Sequence, residues 1–124
     1  MGHATKNTIE RLAGDLNLSR GDKNTQDWEY EVADSKKLDE FLAYLTKNEL
    51  NSNERQTLMQ VILESYNDYV TEFGYNNDYS KKIKMIIQKD ICIYKDIIWY
   101  WSCGEEELED CFAITSFMRG INEA

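Results

Sequence analysis

Apolar residues recur every three or four positions along most of the chain, separated by charged and polar ones. This spacing places the apolar side chains on one face of an α-helix, so each run predicts an amphipathic helix with a buried face. Four such runs precede residue 90. Their apolar positions are Ile9, Leu12, Ala13 and Leu16; Leu38, Phe41, Leu42 and Leu45; Leu58, Val61, Ile62, Tyr66, Tyr69, Val70 and Phe73; and Ile83, Ile86 and Ile87.

The third run is the longest and has clear ends. Asn51 and Glu54 have the spacing of a capping box, in which each side chain accepts a hydrogen bond from the other residue's backbone amide. Gly74 follows the last apolar residue and is typical of the position just after a helix. We therefore expect one long helix between Asn51 and Gly74 that runs through the middle of the fold.

The segment DWEYEVAD breaks the helical pattern. Trp28, Tyr30 and Val32 alternate with charged residues, which is the period of a half-buried strand. The segment is short and has no evident partner strand, so an extended lead-in to the next helix fits it equally well. Both readings stay open for residues 28–32.

The segment ICIYKDIIWYWS allows two interpretations. Its β-branched and aromatic residues suit a strand, whereas Tyr94, Ile97, Ile98 and Trp101 form a helical stripe. Because four helices precede it and no partner strand is apparent, we interpret residues 91–101 as a helix.

Length and composition fit one compact domain. The chain has 124 residues, no proline, six glycines and no internal repeat, and its 42% hydrophobic content exceeds what disordered chains carry. We predict a mainly α single domain over residues 1–124. It would be a helical bundle of about five to six helices, with a short strand near residues 28–32 as the open alternative. Nothing in the sequence specifies an oligomeric state.

The compartment is predicted from what the chain lacks. No apolar run is long enough to span a membrane, and the first residues do not form a signal peptide. Cys92, Cys103 and Cys111 are an odd number at irregular spacing, unlike a disulfide framework or a zinc knuckle. We expect a cytoplasmic protein with three reduced thiols.

The chain is strongly acidic. Twenty-three acidic against fourteen basic side chains give a net charge of −9. Such a charge repels nucleic acid and anionic membranes and favours encounter with a basic protein. We therefore expect neither nucleic acid nor membrane as a partner. The alternative is that the acidity serves solubility alone.

Catalytic signatures are sparse. The one histidine, His3, stands near the N-terminus, and no glycine-rich phosphate loop or metal-ligand motif is present, so we expect no cofactor and no metal. Glu64 and Asp68 are spaced one helical turn apart and leave a carboxylate-based enzyme as a minor alternative, although such pairs are usually solvated helix faces. Cys103 and Cys111 lie beside glutamates, which raise the pKa of a thiol and disfavour a nucleophilic role.

The segment WYWSCGEEELED is the candidate functional region. On a helix Trp99 and Trp101 point about 200° apart, so both cannot enter one core. Trp101 continues the apolar stripe and is assigned to the interior, which leaves Trp99 or Tyr100 facing outward. Gly104 is expected to end the helix.

A dense acidic run follows Gly104. These carboxylates either begin another helix, where its positive end would stabilise them, or form a recognition surface. A salt bridge from Arg119 to Glu109 or Asp110 is the structural role expected for that arginine. The candidate partner-binding residues are Trp99, Tyr100, Glu105, Glu106, Glu107, Glu109 and Asp110.

Three segments resemble a known class of proteins. DWEYEVAD…LDEFL, ERQTLMQVILESYNDY and IIWYWSC…LEDCFAITSFMR occur in an order that resembles small acidic bacterial immunity proteins of polymorphic or contact-dependent toxin systems, over residues 27–121. The resemblance implies a cytoplasmic inhibitor without an active site that binds the catalytic domain of a cognate toxin. Such toxins are often nucleases with basic clefts.

The leading functional hypothesis is therefore a non-catalytic, protein-binding inhibitor of a basic, nuclease-type toxin domain. The alternative is a helical adaptor or regulatory module for another partner. A carboxylate-based enzyme comes third.

Overall fold

The fold is built from helices. The computed structural model describes residues 5–19, 28–104 and 106–123, and within these ranges it contains seven α-helices and no β-strand. The helices are α1 (Lys6–Leu16), α2 (Trp28–Glu31), α3 (Leu38–Lys47), α4 (Ser52–Phe73), α5 (Asn77–Lys89), α6 (Ile91–Ser102) and α7 (Thr115–Glu123). This confirms the prediction of a mainly helical domain.

The chain forms two compact units that share the longest helix. The first unit ends at Ser65 and the second begins at Tyr66, both within α4. The long helix predicted between Asn51 and Gly74 is confirmed, and Gly74 has the positive φ of 84° that ends it.

The first unit buries the apolar stripes of α1, α3 and the first half of α4. Polar contacts fix α1 against the start of α4: the Thr8 hydroxyl donates to Asn53 Oδ1 at 2.7 Å, and Arg11 Nη1 donates to Glu54 Oε1 at 2.9 Å. The buried apolar side chains are Ile9, Leu12, Ala13, Leu16, Trp28, Val32, Leu38, Phe41, Leu42, Leu45, Leu50, Leu58, Met59, Val61, Ile62 and Leu63.

The capping box at the start of α4 is confirmed. The Asn51 amide donates to Glu54 Oε1 and the Glu54 amide donates to Asn51 Oδ1, both at 2.8 Å. Glu54 is buried, and Arg11 supplies the cation that its carboxylate requires.

A strand near residues 28–32 is wrong. Residues 28–31 form the single helical turn α2, and the Val32 amide donates to the Trp28 carbonyl at 3.1 Å. Trp28 and Val32 are four residues apart, so their alternation in sequence also places them on one helical face. Both are buried, and Tyr30 between them is exposed.

The second unit is formed by the end of α4 with α5, α6 and α7. Helix α6 packs along α7, and α5 contacts both. The helical interpretation of residues 91–101 is confirmed, and the stripe that supported it is buried. The buried apolar side chains of this unit are Tyr66, Ile83, Ile87, Tyr94, Ile97, Ile98, Trp101, Ile114, Met118 and Ile121.

The last apolar position predicted for α4 is not in the core. Phe73 is 65% exposed, and its ring lies 5.1 Å from that of Tyr69, which in turn lies 5.4 Å from Tyr79. The buried ring of Tyr66 joins these rings to those of exposed Tyr75, 6.3 Å away, and half-buried Phe117, 6.0 Å away, and together they form an aromatic cluster at the end of α4. Periodicity alone does not reveal that the neighbouring elements leave this end uncovered.

Candidate functional site

The candidate site is built where α6 ends. Cys103 caps the helix with φ 61°, and Gly104 follows with φ 54°. Two consecutive left-handed residues turn the chain sharply away from the helix axis. The segment that follows, residues 103–111, is called the acidic loop below. Glu105 lies outside the described residues.

A disulfide closes the acidic loop. Cys103 and Cys111 are bonded to each other, with their Cα atoms 6.0 Å apart, so the expectation of three reduced thiols is wrong for these two. The sharp turn at Gly104 and a short 3₁₀ turn at Leu108–Asp110 return the chain to its starting point. Cys92 is a free, exposed thiol as expected.

Arg119 on α7 holds the first half of the acidic loop through backbone carbonyls. Its Nε donates to the Ser102 carbonyl at 2.8 Å, and its Nη2 donates to the Glu106 carbonyl at 2.8 Å and to the Gly104 carbonyl at 3.3 Å. The expected salt bridge to Glu109 or Asp110 is absent among the described residues. The guanidinium therefore orients the loop without neutralising those carboxylates.

The described carboxylates of the acidic loop face solvent. Glu106, Glu107, Glu109 and Asp110 are exposed, and none of the four forms a salt bridge with another described residue. They do not begin an α-helix: Glu109 and Asp110 lie in the single 3₁₀ turn Leu108–Asp110, and α7 starts only at Thr115.

The aromatic residues before the loop face in opposite directions, as predicted. Trp99 is 75% exposed and Tyr100 is 40% exposed, whereas Trp101 is fully buried. The Trp101 ring lies 4.5 Å from that of Phe112, just beyond the disulfide. Exposed indole surface thus stands next to the acidic loop in sequence, on the last turn of α6.

The Thr115 hydroxyl ties the end of α6 to the start of α7. It donates to the Trp101 carbonyl at 2.9 Å and accepts from the Phe112 amide at 3.1 Å. Thr115 itself is buried. Both flanks of the acidic loop are therefore attached to the buried part of the unit.

Sequence reasoning missed three residues of this site. Leu108, at the tip of the loop, is 52% exposed and adds apolar surface among the carboxylates. Cys103 and Cys111 fix the path of the chain. One signal was present in the sequence: Gly104, which permits a tight turn, lies between two cysteines that a tight turn can bring together.

Chemically, the site offers acceptors and apolar surface. Ionised carboxylates only accept hydrogen bonds, and an exposed indole stacks on cationic groups. No group of three metal-ligating side chains occurs within the described ranges. The site is thus suited to binding Lys or Arg side chains.

Glu64 and Asp68, the pair considered for a carboxylate-based enzyme, both lie on α4, away in sequence from the acidic loop. Glu64 accepts a hydrogen bond from Gln60 Nε2 at 3.3 Å, and Asp68 is an exposed residue whose carboxyl pKa is raised by local desolvation.

None of the helices in the described part of the chain is long and apolar enough to cross a membrane.

Comparisons of the chain with protein-family models, curated proteins and solved structures found no match.

Proposed function

We propose that this chain is a non-catalytic inhibitor that binds and blocks a basic protein, in the manner of an immunity protein acting on a nuclease-type toxin domain in the bacterial cytoplasm. The observation that supports this most directly is the acidic loop: four described carboxylates are exposed without a salt-bridge partner, beside an exposed tryptophan. The resemblance of residues 27–121 to small acidic immunity proteins points to the same class.

The mechanism is occlusion guided by charge. A negative surface attracts a positively charged cleft and orients it, which raises association rates to about 10⁸ M⁻¹s⁻¹ at low salt. Trp99 then supplies the apolar contact that slows dissociation, because large aromatic side chains dominate binding energy at interfaces. Carboxylates seated in a nuclease cleft take the place of the substrate phosphates.

A charge-reversal experiment with a matched control tests this proposal. Glu106, Glu107, Glu109 and Asp110 are replaced together by lysine. The control replaces four other exposed carboxylates, Glu10, Glu49, Glu72 and Asp96, so that the net charge changes equally. Each variant is co-expressed with the product of the neighbouring open reading frame, the candidate toxin, and growth of the cells and the association rate of the two proteins are measured.

The loop variant is expected to lose protection and to associate at least tenfold more slowly at low salt, because it repels the basic cleft. The control is expected to keep protection. Equal loss in both variants would mean that net charge alone matters, and full protection by the loop variant would remove the acidic loop from the interface.

A second candidate function, a helical adaptor, is favoured by the aromatic cluster of the second unit. Phe73 and Tyr75 belong to this cluster and expose aromatic surface outside the acidic loop. An adaptor that binds two partners needs two separate surfaces, here the acidic loop and the aromatic cluster. Replacing Phe73 by serine distinguishes the two functions: an inhibitor that uses only the acidic loop keeps its affinity for the toxin, whereas an adaptor loses a partner.

A further inference from the structure

The two halves of the acidic loop are held in different ways. Arg119 fixes the first half through the carbonyls of Ser102, Gly104 and Glu106. Residues 107–110 are exposed, and their backbone hydrogen bonds are local: the Asp110 amide donates to the Glu107 carbonyl at 2.9 Å. Among the described residues, none outside the loop forms a hydrogen bond with residues 107–110. Just beyond this half, Phe112 packs against Trp101, and Arg119 Nη2 lies 4.0 Å from Cys111 Sγ. The disulfide adds to these contacts a covalent attachment to the end of α6.

The charges in the loop favour its expansion. Carboxylates crowded into a few residues repel one another, and charged segments without packing contacts extend. Leu108 is exposed and does not anchor the segment. The covalent bond between Cys103 and Cys111 opposes this expansion, because it fixes the distance between the two ends of the loop.

The sulfurs are within reach of a reductant. Cys103 and Cys111 are half-buried, at the edge of an exposed loop. In the cytoplasm thiol systems keep most disulfides reduced, and the disulfides found there usually respond to redox conditions. Because the proposed inhibitor acts in that compartment, its disulfide has to be considered reversible.

We propose that Cys103–Cys111 is a reversible redox site, acted on by a dithiol reductant, whose state sets the conformation of the acidic loop and hence its affinity for a cationic partner. One thiolate of the reductant attacks a disulfide sulfur and forms a mixed disulfide, and the released cysteine takes up a proton. The second reductant thiol resolves the mixed disulfide. Two electrons and two protons thus pass to the protein, and the reductant leaves as its own disulfide.

The partner-binding consequence rests on the proposed function. The oxidised loop presents its carboxylates already arranged, whereas the reduced loop must be ordered on binding, which lowers affinity. The oxidised form is therefore the stronger binder. The reduced form keeps the hydrogen bonds from Arg119 to the carbonyls of Ser102, Gly104 and Glu106 and loses the covalent closure between Cys103 and Cys111.

Hydrogen exchange with mass spectrometry on the full chain tests the site without a partner. Oxidised protein, protein reduced with dithiothreitol, and the Cys103→Ser/Cys111→Ser variant are compared, with Cys92→Ser as the control thiol variant. The amides of Asp110 and Cys111, which donate to the carbonyls of Glu107 and Leu108, are expected to exchange at least about tenfold faster in the reduced protein and in the double variant, because the covalent closure no longer restricts opening of this turn. Amides in the first half of α4 and the Cys92→Ser control should not change.

Binding of an oligolysine peptide to the same samples at low salt then tests the consequence. The oxidised protein is expected to bind several-fold more tightly than the reduced one. Unchanged exchange at Asp110 and Cys111 on reduction would overturn the redox site. If exchange rises but neither form binds oligolysine, the redox control of the loop stands and the proposed cationic partner surface fails. If exchange rises and both forms bind equally, the inferred coupling to affinity is wrong.

Discussion

The hydrogen bonds of Arg119 explain why it forms no salt bridge with the carboxylates of the acidic loop. A guanidinium has five donors in a plane and can bind carboxylates or several carbonyls. Arg119 uses its Nε and Nη2 on three carbonyls, those of Ser102, Gly104 and Glu106. Arg119, the next basic residue after the loop in sequence, therefore hydrogen-bonds to the backbone, and the described loop carboxylates form no salt bridge with it. Charge alone instead predicts a salt bridge from Arg119 to Glu109 or Asp110.

One tyrosine in the first unit has a different pKa in the folded and unfolded states. Tyr44 donates its hydroxyl hydrogen to Asp15 Oδ2 at 2.6 Å. Burial, aided by this hydrogen bond to a carboxylate, raises the pKa of Tyr44 to about 12. The folded state therefore holds the phenolic proton more tightly than the unfolded state, whose pKa is near 10.

The raised pKa of Tyr44 makes the stability of the protein depend on pH in the alkaline range. The contribution of Tyr44 to the free energy of unfolding is complete below pH 10. It is lost as the pH rises from 10 toward 12, because the tyrosine loses its proton first in the unfolded state. Tyr44→Phe is expected to make the loss of stability over this window less steep, measured by urea unfolding at a series of pH values. Tyr30→Phe, at an exposed position, is the control. An equal slope in wild type and Tyr44→Phe would contradict the raised pKa.

At the scale of elements, hydrophobic periodicity predicts this chain well where helices are long. It gave α1, α3, α4 and α5, and it distinguished α6 from a strand because Tyr94, Ile97, Ile98 and Trp101 share one face. It failed at α2. Over a single turn, Trp28 and Val32 fit both the alternation of a strand and the four-residue spacing of one helical face. It also predicted neither the disulfide between Cys103 and Cys111 nor the hydrogen bonds from Arg119 to backbone carbonyls, since periodicity carries no information about either.

The two tryptophans of α6 provide an element-scale prediction. Trp101→Ala is expected to cost about 3–5 kcal/mol of unfolding free energy, because it leaves a cavity where the indole packs against Phe112. Trp99→Ala is expected to change stability by less than about 0.5 kcal/mol and to weaken binding of the basic partner by about 2 kcal/mol. Urea unfolding and calorimetric binding measure both. Destabilisation by Trp99→Ala similar to that of Trp101→Ala would place the Trp99 indole in the core.

At the scale of the whole molecule, the net charge of −9 is distributed unevenly. Four described carboxylates lie within the five residues 106–110, whereas most others are spread over separate helices. Repulsion between exposed charges falls off over a Debye length of about 8 Å at physiological salt. Clustered carboxylates therefore repel one another even at that salt, and isolated ones are largely screened. Self-repulsion of the folded chain should be concentrated in the acidic loop.

Salt dependence of stability distinguishes clustered from dispersed charge. Neutralising Glu106, Glu107, Glu109 and Asp110 to their amides removes four charges and takes the net charge from −9 to −5. The same change at Glu10, Glu49, Glu72 and Asp96 gives an equal net charge. The wild type is expected to gain stability as sodium chloride is raised from low ionic strength, because the salt screens repulsion.

The loop variant should be more stable than the wild type at low salt and should lose most of this salt dependence, whereas the dispersed variant should keep most of it. Thermal unfolding at a series of salt concentrations measures the difference. Equal salt dependence in the two variants would mean that the molecule responds only to its total charge. The acidic loop would then not be the main source of charge repulsion in the folded chain.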